Sequence, residues 1–308
     1  MIAVLGAFDG FHTGHALLFD RARSLAADPS DWAVVTFSPH PDTVISGATA
    51  QSLFTEEERD YLARFFGIPR IIKIPFDMSL AKMPPDEFIV LLESLMPLSG
   101  VVVGEDYRFG GDRAGDAEFL RALSHDRRWA FDTVKTLSDG AEKVSSSRIR
   151  RLVQEGSAID AKRLLGYPFF FRGRVIHGDG RGRTLGYPTA NVLYGPEKTA
   201  PRRGVYAASV LLDGDWRPGA LNIGCNPTFL ADRRPTRFET YILDFEGSLY
   251  GKDILVFIES HIRQEVTFHS AADLVRRMGI DSEEARSRFI EVHAVDRDLY
   301  RRLAAAFF

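Results

Sequence analysis

A chain of 308 residues is long enough for two domains with a core each, and 45% apolar with 26% charged residues describe a globular protein, not a disordered one. A formal net charge of −3 excludes nucleic-acid binding driven by bulk charge, leaving at most a local basic patch. The one cysteine, Cys225, excludes an internal disulfide and suits a reducing cytoplasm, where it reads as a small buried residue. No signal-like segment opens the chain and no apolar run reaches the ~20 residues of a membrane span, so a cytoplasmic protein without membrane contact is expected.

The first element is an apolar run, Ile2–Leu5, that reads as a buried strand. Gly6-Ala7-Phe8-Asp9-Gly10-Phe11-His12-Thr13-Gly14-His15 follows, and helical spacing takes over across Ala16–Ala27. Two histidines three apart thus stand at the mouth of a strand-turn-helix unit. Unpaired N–H groups and the helix dipole favour an anion there, and small Gly14 lets a phosphate come close. This pattern reads as a nucleotide phosphate site. A His-x-x-His alone would equally suit a metal, but no third ligand of the zinc type stands nearby.

Strand-like runs continue at Trp32–Phe37, Arg70–Phe76, Gly100–Gly104 and Trp129–Leu137, alternating with helical patterns at Glu56–Phe66, Pro85–Met96 and Ala117–Ser124. Such alternation implies an α/β fold with a parallel sheet covered on both faces. Ligands of such sheets gather beyond the carboxyl ends of the strands. The unusual polar clusters fall there: Thr36–Pro41 with His40, Gly104–Gly110 with Asp106, and Ser145–Arg150. Together they suggest adenylyl transfer, in which His12 and His15 donate to phosphoryl oxygens. Arg150 and the serine hydroxyls would hold pyrophosphate, with Ser146 and Ser147 at a helix N-terminus.

A helical stretch, Ser147–Leu165, links to a second half of different rhythm, dividing the chain into 1–165 and 166–308. Strand-like runs now dominate: Phe169–Ile176, Gly204–Leu212, Ala220–Ile223, Phe238–Phe245 and Ile254–Ser260. Asp213-Gly214 marks a hairpin, and the series suggests an antiparallel sheet curled into a barrel. Ser282–Phe308 reads as a closing helix or pair. Between the first two strands lies a glycine-rich run in which Gly178, Gly180 and Gly182 admit phosphates while Arg181 and Arg183 add charge. It lacks the Gly-Lys-Ser/Thr ending of a Walker loop. If Thr189–Asn191 is extended, Thr189 and Asn191 share a face and their oxygens can hold one Mg²⁺; otherwise they fix a turn. Glu239 interrupts an apolar strand as either a general base with raised proton affinity or a solvent-facing residue.

These segments carry a resemblance. Gly6–His15, Thr36–Pro41, Gly104–Gly110 with Gly115-Asp116, and Ser145–Arg150 resemble the adenylyltransferase module of bacterial bifunctional riboflavin kinase/FAD synthetases. Gly178–Asn191, Gly204–Tyr206, Asn222–Phe229, Glu239–Phe245, Leu249–Gly251 and Ile262–Glu265 resemble its riboflavin kinase module. The resemblance implies a Rossmann-like nucleotidyltransferase sheet, then a six-stranded antiparallel β-barrel followed by helix. Riboflavin, FMN and ATP become the substrates, with Mg²⁺ and nucleotide on Thr189 and Asn191. By the same likeness Gly6, Phe8, Asp9 and Ser147 belong to the ATP site, His40 lies near the nucleotide, and Asp106 and Asn222 lie near flavins. Glu239 would deprotonate the ribityl 5′-hydroxyl. Ala7 departs from the family's Asn or other small polar residue, and Ser147 stands where Thr is usual. A kinase with impaired adenylylation, or a flavin-binding regulator without turnover, are the competing functions.

Overall fold

The protein is described from a computed structural model covering residues 1–47, 51–177, 186–195, 197–225 and 236–307. It divides into two compact units, Met1–Arg148 and Ile149–Phe308.

The first unit begins β1 (Ile2–Leu5), α1 (Thr13–Leu25), β2 (Trp32–Ser38), α2 (Pro41–Ser46), α3 (Glu56–Phe65), β3 (Ile71–Pro75), α4 (Met78–Ala81) and α5 (Pro85–Leu95). It continues with β4 (Gly100–Gly104), β5 (Arg108–Phe109), β6 (Gly115–Asp116), α6 (Ala117–Arg127), β7 (Ala130–Val134), β8 (Ser138–Asp139) and β9 (Glu142–Lys143). Five strands form one parallel sheet in the order β3-β2-β1-β4-β7. All four residues of β1 are buried, as a strand covered on both faces requires. Ala3, Leu5, Val101 and Val103 share a core with Phe88 and Leu92 of α5 and Leu120 of α6. From β1 the chain winds one way through β2 and β3, and from β4 the other way to β7. The order therefore reverses between β1 and β4, where an open α/β sheet leaves a crevice.

Gly100, at the start of the strand between β1 and β7, has no room for a side chain. A Cβ there would lie 2.5 Å from Ile2 Cδ1 and 2.7 Å from the Ala130 carbonyl oxygen. Gly100→Ala is expected to destabilise the first unit by roughly 1–3 kcal/mol, the cost of overpacking. An unchanged urea midpoint would contradict that packing.

The helix α7 (Ser146–Glu155) crosses the division, and the second unit continues with α8 (Ala158–Leu165). β10 (Phe170–Ile176), β11 (Thr189–Val192), β12 (Gly204–Leu212), β13 (Asp215–Cys225), β14 (Thr236–Ile242) and β15 (Asp253–Arg263) follow. They close an antiparallel barrel in the order β10-β11-β14-β13-β12-β15. Two helices, Ala271–Val295 and Arg297–Phe307, finish the chain. All nine residues of β12 are buried, since the Ala271–Val295 helix packs on its outer face. Asp213 and Gly214, with φ of 49° and 89°, make the two-residue turn expected between β12 and β13.

The expected linker helix is two helices, and α8 packs as part of the second unit, ahead of the boundary expected at 165/166. Ala161, Leu164 and Leu165 are buried. Lys162 Nζ lies 2.7 Å from Asp296 and 3.9 Å from the buried Glu259, which accepts a 2.7 Å hydrogen bond from the Tyr300 hydroxyl. No helix among the described residues is long and apolar enough to cross a membrane.

Candidate active sites

At the crevice between the ends of β1 and β4, the first unit holds a cleft of about 260 Å³. Gly6, Phe8, His12 and His15 line it after β1, Asp106 after β4, and Lys135 after β7, with Lys143, Ser145 and Ser146 beyond. A Cβ on Gly6 would meet the Phe8 ring at 2.8 Å, so this glycine makes room for the ring that floors the site. His12 is the N-cap of α1, and its Nδ1 accepts the His15 backbone N–H at 3.3 Å. Since Nδ1 accepts, the neutral ring carries its proton on Nε2. The His12 and His15 rings stack at 3.6 Å, and His15 Nδ1 is buried without a hydrogen-bond partner.

Burial lowers the His12 pKa to about 4, with nearby Lys143 adding to the shift. His15 falls well below the ordinary histidine range through burial and the neighbouring His12. Both rings are therefore neutral near pH 7 and offer hydrogen bonds, not charge. In the unfolded chain they bind protons at about 6.5, so the unfolded state takes up more protons as pH falls from there toward 4. The contribution to stability is present above that window and lost within it. His12→Asn keeps a capping oxygen but cannot titrate. Hydrogen exchange at β1 and β4 is expected to show a flatter acid destabilisation in this variant; an unchanged pH slope would contradict it.

The remaining expected residues are distributed differently. Asp9 is buried and accepts the Leu53 N–H at 2.8 Å, and does not line the cleft. His40 caps α2 through the Asp42 N–H at 3.3 Å. The α7 cap is Ser145, whose Oγ accepts the Arg148 N–H at 3.3 Å, one residue before the expected pair; Ser146 opens the helix and Ser147 follows. Arg150 stands further along α7, in the second unit. Two cleft lysines escaped sequence reasoning. Lys135 and Lys143 sit in no motif, and only folding brings them beside the histidines; Lys143 Nζ pairs with Asp106.

In the second unit, burial alternates along β11: Ala190 and Val192 point into the barrel, Thr189 and Asn191 outward. Asn191 pairs across to Glu239, and Glu239 to Asn222 on the next strand. Two residues along, Thr189, Tyr241 and Ala220 form a parallel row. Period two puts both rows on one outward face. Glu239 is 31% exposed with Arg237 Nη1 at 3.7 Å, so it faces a half-open pocket and a cation, not the apolar surroundings expected of a core strand. A cavity of about 310 Å³ is lined by Glu239 and Asn222 of the first row and by Thr189, Tyr241 and Ala220 of the second, but not by Asn191; Leu274 and Met278 of the Ala271–Val295 helix roof it. A second cavity of about 430 Å³ is lined by Phe245 and Tyr250, and Thr189 borders both.

Gly178, Gly180, Arg181, Gly182 and Arg183 lie outside the described residues, as does the Cys225 side chain. Thr189 and Asn191 offer two hard oxygens, and the described residues hold no cluster of three or more His, Cys, Asp or Glu side chains. That donor set fits a Mg²⁺ held mostly by phosphate and water.

Comparison with known proteins adds independent findings. The FAD synthetase family profile matches residues 1–148, and the riboflavin kinase profile matches 165–289. A bifunctional riboflavin kinase/FMN adenylyltransferase of Listeria monocytogenes is 32% identical over 94% of this chain and 93% of its own. One from Escherichia coli is 33% identical, over 94% and 92%. A solved structure described as a macrolide-efflux protein from Streptococcus pneumoniae superposes with a TM-score of 0.83 at 32% identity, covering 92% of this chain and 93% of that one.

Proposed function

The chain belongs to the bifunctional riboflavin kinase/FMN adenylyltransferase family, and from that premise we propose which residues carry each reaction. It phosphorylates riboflavin with ATP to give FMN, then adenylylates FMN with ATP to give FAD and pyrophosphate. We assign adenylylation to the amino-terminal module, 1–165, and kinase activity to 166–308. The helical segment 149–164 lies between the two family matches.

In the kinase, Glu239 accepts the proton of the ribityl 5′-hydroxyl as its oxygen attacks the γ-phosphorus of ATP and ADP leaves. The observation that supports this most is the Asn191–Glu239–Asn222 row beside Thr189, which borders two cavities. Flavin in one and nucleotide in the other would meet at that residue. Thr189 and Asn191 would hold Mg²⁺, whose charge offsets that of the phosphates. Gly178, Gly180, Arg181 and Gly182 are assigned to the nucleotide by resemblance.

In the adenylyltransferase, an FMN phosphate oxygen attacks the α-phosphorus of ATP, and the bond to pyrophosphate breaks. His12 Nε2–H and the His15 ring donate to the oxygens on which charge builds. Lys135 and Lys143 supply the positive charge that two neutral histidines cannot. Ser146, which opens α7, lines the same cleft, and Arg150 is assigned to pyrophosphate by resemblance alone. Gly6 and Phe8 shape its floor, and Asp106 is assigned to the flavin. We place Asp9, His40 and Ser147 around the nucleotide as supports of that site. The enzyme is expected to work in the cytoplasm, without nucleic-acid or membrane partners.

Incubating the pure protein with riboflavin, Mg²⁺ and ATP and separating the flavins tests this reading. FMN and FAD should both form. FMN alone would mean that Ala7 has cost the chain its adenylylation, and unchanged riboflavin would mean a regulator.

A further inference from the structure

We infer that Arg263 and Glu265 read the imide edge of the flavin ring, Arg263 donating to a ring carbonyl and Glu265 accepting from N3–H. This rests on the reading that riboflavin occupies the 310 Å³ cavity, which both residues line. Arg263 ends β15 and Glu265 lies just past it. The neighbouring wall is apolar, built from Val266, Phe268, Leu274 and Met278, as a flat tricyclic ring needs.

The arginine is fixed before any ligand arrives. Its Nε lies 3.0 Å from each oxygen of Asp281 and its Nη2 2.7 Å from one of them, while Nη1 donates to the Gln264 carbonyl at 3.0 Å. Asp281 is buried and also takes Arg277 Nε at 2.9 Å, so the carboxylate clamps two guanidinium groups. The Phe268 ring lies 5.7 Å from the Arg263 guanidinium carbon. A guanidinium has five N–H donors, and these contacts engage three. Two are left unengaged on a residue that lines the cavity, one each on Nη1 and Nη2.

Glu265 supplies the complementary group. It makes no hydrogen bond or ion pair with a described residue, and its carboxylate lies over Gly224, beside the Asn222 amide. The pyrimidine end of a flavin presents carbonyl, N–H, carbonyl: acceptor, donor, acceptor. One locked donor and one unengaged acceptor match two adjacent members of that series.

N3-methylriboflavin removes the N–H and tests the assignment directly. For the unaltered enzyme, the methyl group should lower kinase kcat/KM by roughly 10–100-fold, the worth of a hydrogen bond to a charged group. Glu265→Ala should raise KM for riboflavin by a similar factor, leave KM for ATP unchanged, and treat the two flavins nearly alike. Glu265→Gln, whose carbonyl still accepts, should recover part of the preference. Full discrimination retained in Glu265→Ala would overturn the role of Glu265. Arg263→Lys keeps Asp281 paired but loses the fork, so an unchanged riboflavin KM there would remove Arg263 from the assignment. Met278→Trp fills the cavity. If it leaves the riboflavin KM unaltered, the flavin lies elsewhere and the underlying reading falls; if it raises that KM while Glu265→Ala does not, only the edge assignment fails.

Discussion

Glu239→Gln is expected to slow FMN formation by roughly 10²–10⁴-fold, the usual worth of a general base. Glutamine keeps the size and the hydrogen-bonding oxygen but cannot accept the hydroxyl proton. The side chain is on the outward face of β14 between Asn191 and Asn222, so the barrel interior is untouched. The ion pair with Arg237 is lost, but a half-exposed pair contributes little to stability. Riboflavin binding should therefore survive while turnover collapses. FAD formation from supplied FMN, assigned to the other unit, should stay at its original rate. An equal loss in both reactions would mean that they share a site.

His15→Ala should do the reverse, costing adenylylation about 10²–10³-fold, as loss of one donor to a developing oxyanion does. His12 remains the N-cap of α1, because it accepts the backbone N–H of residue 15, which alanine retains. What disappears is the ring stacked at 3.6 Å with its unpartnered Nδ1. Kinase activity should be unaffected. Metal content of both proteins decides the competing explanation: if the substitution removed bound zinc, the histidines would be ligands, not donors to phosphate.

Which parts of this were legible beforehand follows from how local their signals are. The sheet strands were readable from continuous apolar runs, and β1 and β4 match their expected limits. α1 starts at Thr13, three residues ahead of the periodic pattern, because a histidine caps it in place of the usual Ser, Thr, Asp or Asn. β13 starts at Asp215, well before the expected Ala220, since Arg217-Pro218-Gly219 break the apolar pattern yet still pair with β12. The helix Ala271–Val295 begins eleven residues before Ser282, capped by Ser270. Leu274 and Met278, the cavity roof, come from that unread stretch. Barrel closure depends on β10 pairing with β15, about eighty residues on, which no window of sequence displays. The site motifs were legible because glycines, histidines and the Thr-x-Asn spacing are local. The Lys143–Asp106 pair and the Asp281 clamp were not, because each joins residues from separate elements.

Two independent chemistries in one chain is the claim on which the rest depends, and mixing two disabled proteins tests it most directly. Glu239→Gln alone should make almost no FMN from riboflavin, and His15→Ala alone should stop at FMN. Combined in one tube with riboflavin, Mg²⁺ and ATP, they should make FAD, because FMN released by one protein is adenylylated by the other. A mixture that accumulates FMN without FAD, although Glu239→Gln converts added FMN, would show that the intermediate never leaves the chain that made it. A mixture in which Glu239→Gln cannot convert even added FMN would contradict separate sites outright.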